Sequence, residues 1–84
     1  MSKKKYSFGL LEILSKDPLV ERMTFNKEGN SHNHEVTEYC YVLQGSGKII
    51  GSSKEKVKEG DYCEIPANTA HWMVPSKPGF KVLI

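Results

Sequence analysis

The sequence predicts an all-β domain, a small sandwich or barrel of short strands. Two observations carry that expectation. Segments rich in aromatic and β-branched residues alternate in polarity with the two-residue period of a pleated strand. Turns bearing glycine and proline punctuate these segments at near-regular intervals, and no long helical period intervenes. The 84 residues make one domain, 1–84. A chain this short buries only about 60–65% of the surface its unfolded form exposes, so the core is marginal without a metal, a disulfide or a partner subunit.

Residues 1–5 include Lys3, Lys4 and Lys5 and fit a flexible, solvated basic tail. Leu10 to Leu14 fits either one helical turn or a strand. After the Asp17-Pro18 turn, Leu19 to Phe25 alternates: Leu19, Glu21, Met23 and Phe25 share one face, Val20, Arg22 and Thr24 the other. Asn26 to Ser31 is polar, contains Gly29 and is a loop. Glu38 to Gln44 carries Tyr39, Cys40, Tyr41, Val42 and Leu43 and suits a pleated surface. Gly45-Ser46-Gly47 turns the chain into a return strand beginning at Lys48-Ile49-Ile50, and Gly51-Ser52-Ser53-Lys54 is a hairpin tip. Lys54, Lys56 and Lys58, interleaved with Glu55, Val57 and Glu59, form a solvated hairpin edge. Gly60-Asp61 opens the next strand, which runs through Ile65. Pro66 to Thr69 is a tight turn, and Ala70 to Val74 is a strand carrying His71. Pro75 to Gly79 is a loop before a final apolar strand, Phe80 to Ile84.

Composition excludes several functions. A net charge of +2 is too small to argue for nucleic acid. No stretch approaches the roughly 20 apolar residues that span a bilayer, so no membrane partner is expected. The apolar run after the first lysines is interrupted by Glu12, and Lys16-Asp17-Pro18 stands where a secretory cleavage site would lie. A soluble, cytoplasmic protein is the expectation. Cys40 and Cys63 are far apart and outside a Cys-x-x-Cys arrangement; they are expected as free thiols, Cys40 as a small buried residue.

The chemistry lies in the histidines. His32 and His34 share a face if the segment is extended, and Glu38 follows four residues after His34. His71, the remaining histidine of the chain, stands where a neighbouring strand could add a fourth donor. Three imidazoles and a carboxylate suit zinc, iron, manganese, nickel or cobalt, one divalent ion per chain. Four protein donors around an octahedral ion leave two positions for water or a bidentate small-molecule ligand, whereas a tetrahedral zinc closed by the same four would be structural. Taken singly, a histidine pair in a polar loop or one histidine after a turn is usually a surface residue. The common interval pattern sets this set apart.

That pattern resembles the cupins. Their first motif spaces a glycine, a His-x-His pair, a glutamate and a second glycine as Asn26, His32, His34, Glu38 and Gly45 are spaced here, across residues 26–45. Their second motif, across residues 60–75, appears as Gly60, Pro66, Asn68, His71 and Pro75. Asn26 and Asn68 replace family glycines, and Pro75 replaces a closing asparagine. Asn68 is the mildest change, because asparagine tolerates left-handed backbone. All four family ligand positions are filled.

The resemblance implies a small jelly-roll-like β-barrel with His32, His34, Glu38 and His71 around a metal near its centre. It also implies a homodimer, here paired through the apolar strand edge expected between Tyr6 and Phe25. Family members include dioxygenases, isomerases, decarboxylases, lyases and epimerases. The implied ligand is a keto acid, sugar derivative or diketone; a non-catalytic sensor or metal-stabilised binding module is the alternative. Tyr39, Tyr41, Trp72 and Met73 are candidates to line the mouth, although alternation turns Trp72 away from the ion, and Glu35 and Tyr41 are candidate general bases.

Overall fold

Strand period sorts the side chains into two sets, and the fold follows from hiding one of them. A computed structural model describes residues 2–84; Met1, first residue of the expected tail, lies outside them. Nine strands follow one another: β1 Ser2–Tyr6, β2 Gly9–Lys16, β3 Leu19–Phe25, β4 Glu38–Gln44, β5 Ser46–Ile50, β6 Lys54–Lys58, β7 Tyr62–Ile65, β8 Trp72–Pro75 and β9 Phe80–Leu83. No helix occurs among the described residues. All pairings are antiparallel, in a six-stranded sheet ordered β1-β2-β3-β9-β4-β7 and a three-stranded sheet ordered β6-β5-β8.

Register sets the inner face of the large sheet. Phe25 opposes Phe80, Met23 opposes Val82, Val82 opposes Val42 on its other side, and Cys40 opposes Cys63. Met23, Phe25, Cys40, Val42, Phe80 and Val82 are all buried, joined by Ile49 and Met73 from the small sheet. The alternation read for residues 19–25 divides core from outer surface at Met23 and Phe25, whereas Leu19, counted on the same face, is exposed.

One open alternative is decided, and several local expectations change. Leu10 to Leu14 is strand, inside β2. Lys3, Lys4 and Lys5 are exposed as expected but lie in β1, paired to β2, rather than in a tail. Pro75 closes β8 instead of opening a loop. The strand after Gly45 does not return onto β4: β5 pairs with β6 and β8 and so starts the second sheet. Gly45 takes a left-handed φ of 82° at that crossing. Gly47 lets β5 pass close beneath β8 and β9, because a Cβ there would stand 2.6 Å from the Val74 carbonyl oxygen and 3.0 Å from the Phe80 ring. The edge expected between Tyr6 and Phe25 is also displaced. β2 and β3 are interior strands, and the sheet edge on their side is the lysine-bearing β1, a composition that discourages edge-to-edge pairing; β7 is the opposite edge.

On the outer face Glu12 and Arg22 are register partners. Arg22 Nε and Nη2 each donate to one Glu12 carboxylate oxygen at 3.0 Å, a bidentate pair. These hydrogen bonds hold the Glu12 carboxyl below the usual carboxylate range. The ionised form is thus favoured in the fold, so its stabilisation is present above the ordinary carboxylate pKa and lost as pH falls through and below it. Glu12→Gln is expected to narrow the drop in urea midpoint between about pH 7 and about pH 3; an unchanged drop would assign the acid sensitivity to other carboxylates.

Candidate metal centre

Two backbone hydrogen bonds bring the histidines of the two motifs together. His32 N–H donates to the His71 carbonyl at 3.0 Å, and His71 N–H donates to the His32 carbonyl at 2.8 Å. This isolated bridge stands where a continuous extended segment was expected, because residues 33–37 are irregular. A third bond, Asn68 N–H to the His34 carbonyl at 2.7 Å, ties the Pro66–Thr69 turn to the first motif. Asn68 adopts a φ of 60°, the left-handed conformation anticipated for it. Glu38 is the first residue of β4, inward-facing opposite Ile65.

The four side chains then converge. Their donor atoms all lie within 4.8 Å of one another. His34 Nε2 is 2.9 Å from Glu38 Oε2, and His71 Nε2 is 3.5 Å from the same oxygen. Ring centroids are separated by 4.3 Å for His32 and His71, and by 4.8 Å for His32 and His34. The outward nitrogens are held by carbonyls: His71 Nδ1 lies 2.9 Å from Thr69 O and His32 Nδ1 lies 3.1 Å from Asn30 O. With Nδ1–H donating in each case, the Nε2 lone pair is left facing the cluster, the arrangement usual for a metal-ligating imidazole.

One atom tests the fit. His71 is 1% exposed, and its Nε2 has no hydrogen-bond partner. A buried polar atom left without a partner is costly, and a cation among these donors would satisfy it. Three imidazoles and one carboxylate are also the donor chemistry of a borderline divalent ion. The group is positioned to hold a metal.

A cavity of about 450 Å³ adjoins the cluster, with His32, His34 and Glu38 in its wall. Of the four residues expected at the mouth, Met73 lines it. Tyr39 and Tyr41 alternate to the outer face of β4 and are exposed, and Trp72 lies on the opposite side of β8 from Met73. Neither Glu35 nor Tyr41 belongs to the wall, so the two candidate bases are misplaced. The remaining wall includes Phe8, Leu11, Met23 and Phe25, none of which stood out in the sequence. Alternation does put Met23 and Phe25 on one face of β3, but the same pattern describes any core strand.

Cys40 is fully buried and is not one of the four donors. It directly opposes Cys63, and both cysteines are free. Interaction with the Cys63 sulfur, together with burial, pushes the Cys40 thiol up, and the same interaction pulls Cys63 down. Iodoacetamide should therefore modify one cysteine of the native protein, Cys63, and reach Cys40 only on unfolding. Equal labelling of both, read by peptide mass, would contradict this packing.

A cupin-domain family model matches residues 20–79, most of the chain and both motifs. The chain is a cupin. Solved structures agree on the fold. This cupin is similar to KdgF from Halomonas sp., with a TM-score of 0.83 and 22% identity over 99% of this chain and 83% of that one. It is similar to an RmlC-like cupin from Shewanella frigidimarina, with a TM-score of 0.84 and 18% identity over 98% of this chain and 79% of the other. A variant of oxalate decarboxylase from Bacillus subtilis gives a TM-score of 0.86 at 18% identity; 98% of this cupin is covered, but only 26% of that chain. At such identities the likeness is one of fold. No curated protein matches the sequence. Among the described residues no helix is long and apolar enough to cross a membrane.

Proposed function

We propose that this cupin holds one divalent transition metal per chain on His32, His34, Glu38 and His71, and uses it to bind or transform a small oxygenated metabolite. The observation that carries this reading is the cavity: three of the four donors form part of its wall, so an ion held there faces space a small molecule can enter. A purely structural ion would be closed in by protein on every side. When bound, the ion supplies Lewis acidity toward a carbonyl or enolate oxygen, or redox chemistry if it is iron. Glu38 balances part of its charge, and the Thr69 and Asn30 carbonyls fix the His71 and His32 rings. Zinc, iron, manganese, nickel and cobalt all suit the donors. Oxalate decarboxylase from Bacillus subtilis has Mn(II) centres, which keeps manganese among them.

A non-catalytic sensor is the second reading, and one observation favours it. Beyond the four donors, Glu21 and Tyr6 are the only acid–base side chains in the cavity wall among the described residues. Catalysis by proton transfer would have few groups to use. The test is elemental analysis of protein purified from its native host, followed by aerobic and anaerobic assays with keto acids and diketones. Stoichiometric metal with turnover supports the enzyme; stoichiometric metal with saturable binding alone supports the sensor. Absence of metal after loading with excess Zn²⁺ overturns both.

Two further expectations remain part of this proposal. Two free thiols suit a reducing, cytoplasmic setting. A homodimer would use the outer face bearing exposed Tyr39, Tyr41 and Tyr62, since the β1 edge is guarded by lysines. A monomeric mass by sedimentation at micromolar concentration would count against it.

A further inference from the structure

The wall of the cavity away from the donors has a chemistry of its own. Tyr6, Phe8 and Phe25 form a row, with successive ring centroids 5.0 Å and 6.0 Å apart and planes 22° and 18° from parallel. Leu11 and Met23, register partners across β2 and β3, extend it. All five share the cavity with His32, His34 and Glu38. The charged lining is as informative. Although the chain has 12 lysines and arginines, none lines this cavity among the described residues. The one charged side chain beyond the donor group is Glu21, an acid.

These features discriminate among ligands that a metal would chelate through two oxygens. A dicarboxylate or sugar acid would bring a second negative charge to a lining that holds no lysine or arginine and has Glu21 to repel it. Lys4 Nζ, 5.2 Å from the Tyr6 ring centroid, is engaged over that ring and is not part of the lining. A flat or branched apolar body would instead leave water for the aromatic row. Resting on the metal-centre reading above, we infer that the ligand of this cupin is a chelator with an uncharged apolar or aromatic body: two oxygens reach the ion while the body packs along Phe8 and Phe25. Glu21 acts as a specificity residue that turns away anionic tails.

Three catechols test this, because they present the same pair of oxygens and differ in one substituent. Zinc-loaded protein is titrated under anaerobic conditions with catechol, tert-butylcatechol and protocatechuate, and retained zinc is measured alongside. The tert-butyl group is of leucine size, so tert-butylcatechol should bind about tenfold tighter than catechol or better. Protocatechuate, with its carboxylate, should bind several-fold more weakly than catechol. Phe8→Ala should erode the tert-butyl advantage while leaving catechol affinity and zinc content in place. Glu21→Lys should reverse the protocatechuate deficit, a gain that a merely destabilised protein would not show. Equal affinity for all three, or tightest binding of protocatechuate, overturns the inference but leaves the metal centre standing. Failure of every catechol to bind protein that retains its zinc overturns this inference together with the open, ligand-facing site it rests on, and failure of the protein to take up zinc before the titration overturns the metal centre itself.

Discussion

His34→Ala protein should fold as the parent does and lose stoichiometric metal. The two halves of that expectation come from one fact: the His34 side chain is 44% exposed, while its Nε2 is 2.9 Å from the buried Glu38 carboxylate. Truncating an exposed side chain in an irregular segment removes little packing, and such changes usually stay within about 0.5 kcal/mol. Removing one of four donors is more serious. Loss of a group that merely orients a ligand weakens metal affinity about 10–100-fold, so loss of the ligand itself should exceed about 100-fold. Zinc content after dialysis against a weak chelator, beside a far-ultraviolet spectrum, checks both halves. Full occupancy in His34→Ala would remove His34 from the coordination set. His71→Ala is the poorer probe, because His71 is fully buried and its loss would also open a void.

Phe80→Ala should be the most damaging single change to the fold. Phe80 is 1% exposed, lies 6.2 Å from Phe25 ring to ring, and fills the space left by Gly45 and Gly47. Phe-to-Ala replacements in cores cost about 3–5 kcal/mol. Domains have about 5–15 kcal/mol of stability, and one this short belongs near the lower end. The urea midpoint should fall sharply, followed through the single tryptophan, Trp72. Metal binding to the native state should recover part of it, about 2.7 kcal/mol at a zinc concentration 100 times the dissociation constant. Zinc should therefore raise the midpoint of Phe80→Ala but not of the Phe80→Ala/His34→Ala double variant. A loss under about 1 kcal/mol would mean that the two sheets do not pack on this ring.

What could be read in advance, and what could not, divides along local and non-local lines. β4 was expected at Glu38 to Gln44 and lies there, because alternation along one strand is a local property of the chain. The partner of β5 was misjudged, because pairing depends on residues far away: β5 abuts β8, more than twenty positions later. β1 has three consecutive lysines and no alternation, so nothing in it announced a strand held by hydrogen bonds to β2. At the site, motif spacing named four residues that the structure does bring within reach of one another. Periodicity alone would have missed the reason, since His32 and His71 meet through a two-residue bridge. The apolar cavity wall was not legible at all. Met23 and Phe25 alternate like core residues, and whether such a face meets protein or open space is decided by the other sheet.

Diffraction from crystals grown with zinc, recorded at the zinc absorption edge, addresses the four-donor centre most directly. One anomalous peak per chain is expected, about 2.0–2.2 Å from a nitrogen of His32, His34 and His71 and from an oxygen of Glu38. Crystals in which the zinc lies elsewhere, with these imidazoles turned to solvent, would contradict it.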